Sequence, residues 1–222
     1  MPPIDPNAVE QIPSDAASTY TKLAAAYGQT YYRSVANELA AQLQPGDRLL
    51  DAGTGPGFLP VMLAARVDGV QIHACDFTRE LVAHGHAEAV RQGVDGLVSF
   101  FTADCYAIPA VDRSYSSLLC TGVLHSFDDP VTALEEFYRV LEPGGQAWVF
   151  DPAILDVPDE PDIELTEHER AVFQEYGVRS EAERPPVSRE QAERIVAESP
   201  FAEARLEVGA QGDLRLYLTR RP

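Results

Sequence analysis

Lysine is almost missing from this chain. Lys22 is the only one in 222 residues, and every other basic side chain is arginine. That excludes chemistry needing a placed lysine: Schiff-base formation, a phosphate loop closed by lysine, and the Tyr-x-x-x-Lys pair of one reductase class. Positive charge is scarce altogether. Lys plus Arg number 17 against 35 Asp plus Glu, a formal net charge of −18. Such a field repels a nucleic-acid backbone and an anionic membrane surface, so neither is expected as a partner. No apolar run reaches the roughly 18 residues of a membrane span. The opening MPPIDPNAVEQIPSD has neither the basic nor the apolar segment of a secretory signal. The three cysteines, Cys75, Cys105 and Cys120, lack metal-type spacing. An odd count without a signal fits reduced thiols and a cytoplasmic location. No metal is expected: neither His84/His86 nor Asp128/Asp129 has ligand spacing.

What remains is an ordinary globular composition, 45% hydrophobic and 23% charged. Residues 1–15 read as a loose polar lead. Residues 16–44 read as helix, split at Gly28, and form a cap (1–44) ahead of the main domain (45–222). An alternation follows. RLLDAG, VQIHACD, LVSFFTAD, SYSSLLCTGVL and QAWVFD are strands, and helices follow the first, second and fourth of them. Asp129-Pro130 caps a helix whose stripe is Leu134, Phe137, Tyr138 and Leu141, with Glu135 and Arg139 spaced for an ion pair. Residues 152–187, rich in proline and acid, read as a lid with a helix near 166–176. Ser188 and Gln191 form a capping box on the helix after it. A closing antiparallel hairpin ends the chain. The fold class is therefore α/β: a Rossmann-like, doubly wound, seven-stranded sheet, mostly parallel, with an antiparallel last strand, N-terminal helices and a helical lid. Ligands of such sheets bind at the C-terminal strand edge.

At that edge lies Leu49-Leu50-Asp51-Ala52-Gly53-Thr54-Gly55-Pro56-Gly57. Alternate glycines let the backbone turn tightly and approach a ligand. A dinucleotide fingerprint would need a third glycine where Phe58 stands, which disfavours a nicotinamide reductase. An acid two residues before Gly53 repels a pyrophosphate and suits an ammonium group. Asp76 closes the second strand, placed to accept ribose hydroxyls. Asp104-Cys105 closes the third, where a carboxylate accepts from an adenine amine. An ammonium, a ribose and an adenine together describe S-adenosylmethionine. Local alternatives exist for each acid: a tight turn at Asp51, a helix N-cap at Asp76 and a turn cap at Asp104.

With LLDAGTGPG, ACDFTRE, FTADCYAIP, LLCTGVLHSFDDP and ALEEFYRVLEPGGQAWVFDP in that order, residues 48–151 resemble the class I S-adenosylmethionine-dependent methyltransferases, in their small-molecule branch. The resemblance implies that Asp51, Gly53, Thr54, Gly55 and Gly57 hold the methionine part. It implies Asp76 at the ribose, Phe77 flanking the adenine and Asp104 with Cys105 at the adenine amine. Thr121, at the fourth strand tip, joins the cofactor set, and one of Tyr20 and Tyr27 reaches the cofactor carboxylate. The fourth strand lacks the Asn/Asp-Pro-Pro-Tyr/Phe of base methyltransferases, which argues against nucleic-acid amines. His125 sits where a methyl acceptor should lie. It acts either as a base for a hydroxyl or phenol, or through a local hydrogen bond or cofactor contact. The expected function is methyl transfer to a small-molecule O, N or C nucleophile, by a protein that also has the option of a homodimer. The alternative is a methyltransferase fold that binds S-adenosylmethionine for cyclisation or structure, without transfer.

Overall fold

The computed structural model describes residues 14–151, 161–173, 187–201, 203–210 and 212–222. Its first helices are α1 (Ser14–Tyr27) and α2 (Gln29–Ala40), broken at Gly28 as the sequence predicts. A Cβ at Gly28 would lie 2.5 Å from the Tyr32 ring, so the close turn between the helices needs glycine. The expected loose lead lies almost entirely outside the described residues.

The alternating region forms β1 (Arg48–Ala52), α3 (Phe58–Ala64), β2 (Gln71–Asp76), α4 (Arg79–Gln92), β3 (Val98–Thr102) and β4 (Tyr115–Thr121). It continues through α5 (Pro130–Val140), β5 (Leu141–Asp151), α6 (Arg189–Glu198), β6 (Glu203–Val208) and β7 (Leu214–Thr219). The seven strands stand in the order β3-β2-β1-β4-β5-β7-β6. The first five pair in parallel, and β7 runs antiparallel between β5 and β6. Strand order therefore reverses between β1 and β4, and a crevice opens above their C-terminal ends.

The strands are apolar because helices cover both faces. Successive residues point to opposite sides, so Leu49 packs with Leu39, Leu63 and Ile72, while Leu50 packs with Cys120, Leu134 and Phe137. Both predicted caps are present. Asp129 accepts from the Thr132 amide at 3.1 Å, and Ser188 with Gln191 closes a reciprocal capping box.

Two local expectations are corrected. β5 begins at Leu141 rather than Gln146: Tyr115 pairs with Leu141, the register then jumps across Pro143-Gly144-Gly145, and Ser117 pairs with Gln146. The buried stripe of α5 is consequently Ala133, Leu134, Phe137 and Val140. Arg139 bonds Glu136 and Asp112, at 2.7 and 2.6 Å, not Glu135. The carbonyls of Ile108 and Ala110 draw it toward that loop, each at 2.9 Å.

Of the predicted lid, residues 167–173 are helical and its flanking stretches 152–160 and 174–186 lie outside the described residues. The described part packs on α1. Glu169, buried, takes Lys22 Nζ at 2.7–2.8 Å and the Ser18 hydroxyl at 3.3 Å, and the Tyr27 hydroxyl accepts the Asp162 amide at 2.9 Å. Lys22 and the Thr166 amide hold the Glu169 carboxyl down to about 2. A depressed carboxylate contributes stability above its ordinary pKa and loses it as pH falls from about 4.5 toward 2. Lys22→Met should therefore speed hydrogen exchange of the 161–173 amides about three- to tenfold at pH 7, an effect that fades below pH ~4. Unchanged exchange would show that α1 is held to this segment by other contacts.

Candidate active site

The glycine loop is built by bonds from both sides. Gly53, Gly55 and Gly57 all have left-handed φ values, +75°, +56° and +77°. The amides of Gly53 and Thr54 both donate to the Cys75 carbonyl, at 2.9 and 2.8 Å. His84 Nδ1 donates to the Pro56 carbonyl at 2.9 Å, and its ring meets Phe58 edge-on at a centroid distance of 5.4 Å. A Cβ on Gly57 would lie 2.6 Å from the Gly85 Cα, so loop and α4 touch backbone to backbone. Gly53 lies under Val123, whose methyl would be 2.6 Å from an added Cβ. On the remaining side, the Tyr20 ring stands 3.6 Å from the Cβ position of Gly55.

Two carboxylates flank this loop. Asp51 is 2% exposed and accepts the Thr54 hydroxyl at 2.6 Å. Burial pushes its carboxyl up to about 7 despite the Thr54 bond, and Asp76 adds repulsion. Asp76 accepts the Gly55 amide at 2.8 Å through one oxygen and the Thr78 amide at 2.8 Å through the other. It is thus both the turn cap ahead of α4 and a tie to the glycine loop. Burial raises it as well, against the bonds of Thr78 and Gly55. Asp104 caps its own turn, accepting the Tyr106 amide at 2.9 Å. Phe77 and Cys105 adjoin these acids in sequence. The three cysteines are free and packed in the core, with Cys75 pushed up to about 12 by burial.

The tyrosines separate. Tyr20 lies on the loop, receives a hydrogen bond from Tyr32 and is raised to about 12 by burial. Tyr27 turns to Asp162 instead, so the structure brings Tyr20 to the loop and leaves Tyr27 at the 161–173 segment. Thr121 ends β4 with a buried hydroxyl that has no hydrogen-bond partner among the described residues. Beyond it, His125 sits in a 3-10 turn, Leu124–Ser126. Its Nδ1 is 2.8 Å from Oδ1 of Asp151, whose side chain is fully buried. Sequence reasoning missed Asp151, although it ends a strand as Asp51 does beside Ala52 and as Asp76 does. The signal was available: an acid at the carboxyl tip of a strand one position across the sheet. Among the described residues, no three His, Cys, Asp or Glu side chains gather as metal ligands, and no helix is long and apolar enough to cross a membrane.

Residues 50–149 match the methyltransferase-domain family. That stretch forms a methyltransferase domain. It is 33% identical over 130 residues to a demethylmenaquinone methyltransferase of Thermus thermophilus, covering 59% of this chain and 56% of that one. It is 32% identical over 108 residues to a ubiquinone/menaquinone biosynthesis C-methyltransferase of Geotalea daltonii, covering 48% and 46%. The chain spans about half the length of these relatives. In fold it follows a structure from Methanococcus maripaludis described as an S-adenosyl-L-methionine-dependent methyltransferase. The TM-score is 0.76 at 18% identity, covering 96% of this chain and 95% of that one.

The cofactor of this family is S-adenosylmethionine, and the site has the chemistry for it. The methyltransferase domain holds an acid whose charge is penalised by burial, so a bound cation would relieve it. The unpartnered Thr121 hydroxyl at the same strand edge gains a partner from any polar ligand seated there.

Proposed function

We propose that the protein binds S-adenosylmethionine above β1–β4 and methylates a small molecule. The observation that carries this is Asp51, sealed under a loop of three left-handed glycines at the point where strand order reverses. Bound there, S-adenosylmethionine supplies an electrophilic methyl group on a sulfonium.

Each residue then has a definite task. Asp51, Gly53, Thr54, Gly55 and Gly57 hold the methionine part. Asp76 orients the ribose, with Phe77 at the adenine face and Asp104 and Cys105 at the adenine edge. Thr121 offers its hydroxyl, and Tyr20 covers the loop. Methyl transfer needs alignment and exclusion of water more than activation. The described parts of the predicted cap (1–44) and lid (152–187), namely α1, α2 and residues 161–173, provide that enclosure and shape the acceptor pocket. Tyr27 serves the enclosure through Asp162 rather than the loop. His125 is the candidate base. The relatives named above are a demethylmenaquinone methyltransferase and a ubiquinone/menaquinone biosynthesis C-methyltransferase, and an aromatic acceptor suits the tyrosine-rich helices. A cytoplasmic location, supported by the free cysteines, and a homodimer, checked by sedimentation, complete the reading.

Titration calorimetry with S-adenosylhomocysteine tests it. The wild type should bind one equivalent. Asp76→Ala should weaken binding about 10- to 100-fold, the worth of one or two hydrogen bonds to a charged group. Unchanged affinity in that variant would remove Asp76 from the site. S-Adenosylhomocysteine must accumulate during turnover with the true acceptor; cyclisation or purely structural use would leave it absent.

A further inference from the structure

We propose that Asp151 is a positioning residue that fixes His125 as the proton acceptor of the transfer, so that the methyl acceptor is a hydroxyl-bearing molecule such as a phenol or hydroquinone. This rests on the methyl-transfer reading above and goes beyond it in naming the acceptor's chemistry and a residue outside the methyl-donor site.

The pair is held from the backbone outward. β4 leaves the sheet at Gly122, whose amide donates to the Phe150 carbonyl at 2.8 Å. That bond ties the turn carrying His125 to the last residues of β5. Asp151 is the next residue of β5 and stands in register with Leu214 of β7, so its main chain is fixed in the sheet. Its carboxylate has both oxygens engaged. Oδ1 meets His125 Nδ1 at 2.8 Å, and Oδ2 accepts the Val187 amide at 3.3 Å. Asp151 thus ties residue 187, ahead of α6, to the end of β5.

Chemistry follows from those contacts. An ionised carboxylate only accepts hydrogen bonds, so Nδ1 carries the hydrogen and neutral His125 keeps its lone pair on Nε2. The exposures are unequal: the Asp151 side chain is 0% exposed and that of His125 is 21%. The orienting group is sealed while the imidazole is reachable. His73 and His84 contrast with this, since their Nδ1 atoms meet the Tyr115 hydroxyl and the Pro56 carbonyl. The turn that carries His125 starts beside the glycine loop, because Val123, two residues before it, lies over Gly53.

The step balances. As the acceptor oxygen bonds the methyl carbon, the carbon–sulfur electron pair stays with sulfur; when a conjugated ring carbon attacks instead, that carbon afterwards gives up its hydrogen as a proton and the oxygen regains one, restoring the aromatic ring. The hydroxyl proton passes to Nε2. One positive charge leaves the sulfonium and one appears on the imidazolium, 2.8 Å from the Asp151 carboxylate. A thiolate or a neutral amine attacks without such a base, so a sealed carboxylate behind His125 would serve neither.

Among the described residues, the titratable groups that feel the Asp151 charge are Cys120 on β4 and Tyr31 on α2, and Asp213 and Arg215 on β7 act on Tyr31. Burial lifts Cys120 and Tyr31 well above their ordinary values, so both stay neutral near pH 7. Arg215 is bonded to Asp213 at 2.5 Å and to Glu38.

Two measurements decide the matter. Ring nitrogen NMR of the full chain, without any ligand, should show His125 in the Nδ1–H tautomer, and Asp151→Asn should shift it toward Nε2–H. A wild-type His125 in the Nε2–H form overturns the positioning role and needs no variant to fold. Turnover is then followed with a panel of phenols, a naphthohydroquinone, aliphatic amines and thiols. Methylation of the hydroxylic probes is expected, with kcat reduced about 10- to 100-fold in Asp151→Asn and about 10²- to 10³-fold in His125→Ala, while S-adenosylhomocysteine affinity is unchanged. The rise of kcat with pH should disappear in His125→Ala. Methylation of amines or thiols alone, or no methylation while S-adenosylhomocysteine binds, overturns the hydroxyl assignment. Failure of the wild type to bind S-adenosylhomocysteine overturns the underlying reading instead.

Discussion

Asp51→Asn should make the protein more stable and a poorer binder at once. At pH 8 its melting temperature should rise by about 2–8 °C, while affinity for S-adenosylmethionine falls about 30- to 150-fold. The first effect comes from burial. The Asp51 carboxyl lies at about 7 against an ordinary 3.8, so the folded state holds an extra proton between those values. Stability then falls as pH rises through that window, and the full penalty stands above it. At ~1.4 kcal/mol per pKa unit the charge costs up to about 4 kcal/mol. Asparagine keeps an acceptor for the Thr54 hydroxyl but adds an amide needing partners of its own, so roughly 1–2 kcal/mol of that is recovered. For a chain of this size, each kcal/mol moves the transition by about 2–4 °C. The gain should shrink as pH falls below 7 and the wild-type carboxyl takes its proton.

The second effect comes from charge. Losing an ionised partner for a bound cation in a sealed site costs about 2–3 kcal/mol. Wild-type affinity should therefore climb between pH 6 and 8, and the Asn variant should lose that climb. Scanning calorimetry and titration at pH 5, 7 and 8 read both effects. Stability and affinity falling together would mean that Asp51 is a structural hydrogen-bond partner and not a cation site.

Gly57→Ala and Gly55→Ala should separate folding from binding at neighbouring positions. Both glycines have left-handed φ, which costs an alanine about 1–2 kcal/mol. At Gly57 the new Cβ also falls 2.6 Å from the Gly85 Cα and 2.8 Å from the Phe100 ring. The first contact is backbone of a packed helix, so overpacking adds about 1–3 kcal/mol. The melting temperature should drop by roughly 5–15 °C. At Gly55 the Cβ meets only Tyr20, at 3.6 Å, an ordinary contact. That variant should lose only about 2–8 °C, yet bind the cofactor at least about tenfold more weakly, because the methyl occupies the side of the loop that Tyr20 covers. Equal destabilisation of the two variants would sink the distinction.

Much of this was legible from residues alone, and for identifiable reasons. Parallel strands covered on both faces are short apolar runs, so β1, β2 and β4 announce themselves. Caps act within three residues, so Asp129 and Ser188 could be read directly. The glycine loop and its acids are contiguous or close a strand, and their arrangement named the cofactor. Contacts between distant segments were hidden. Lys22 meets Glu169 across 147 positions, and His125 meets Asp151 across 26. No periodicity links such pairs, since only the sheet order makes them neighbours. Arg139 was misjudged because local spacing favours Glu135, while the carbonyls of the 108–110 loop, brought close by folding, draw it elsewhere.

Sequence by itself determined the α/β alternation, the strand tips where charge gathers, and the cofactor class that the order of its motifs implies. These follow from local rules of burial, turn geometry and capping. Tertiary structure alone decided which tyrosine lies on the loop, what Lys22 holds, and that a sealed Asp151 stands behind His125. Those depend on how β5 is placed beside β4 and α1 over the crevice, and that placement is the work of packing across the whole sheet.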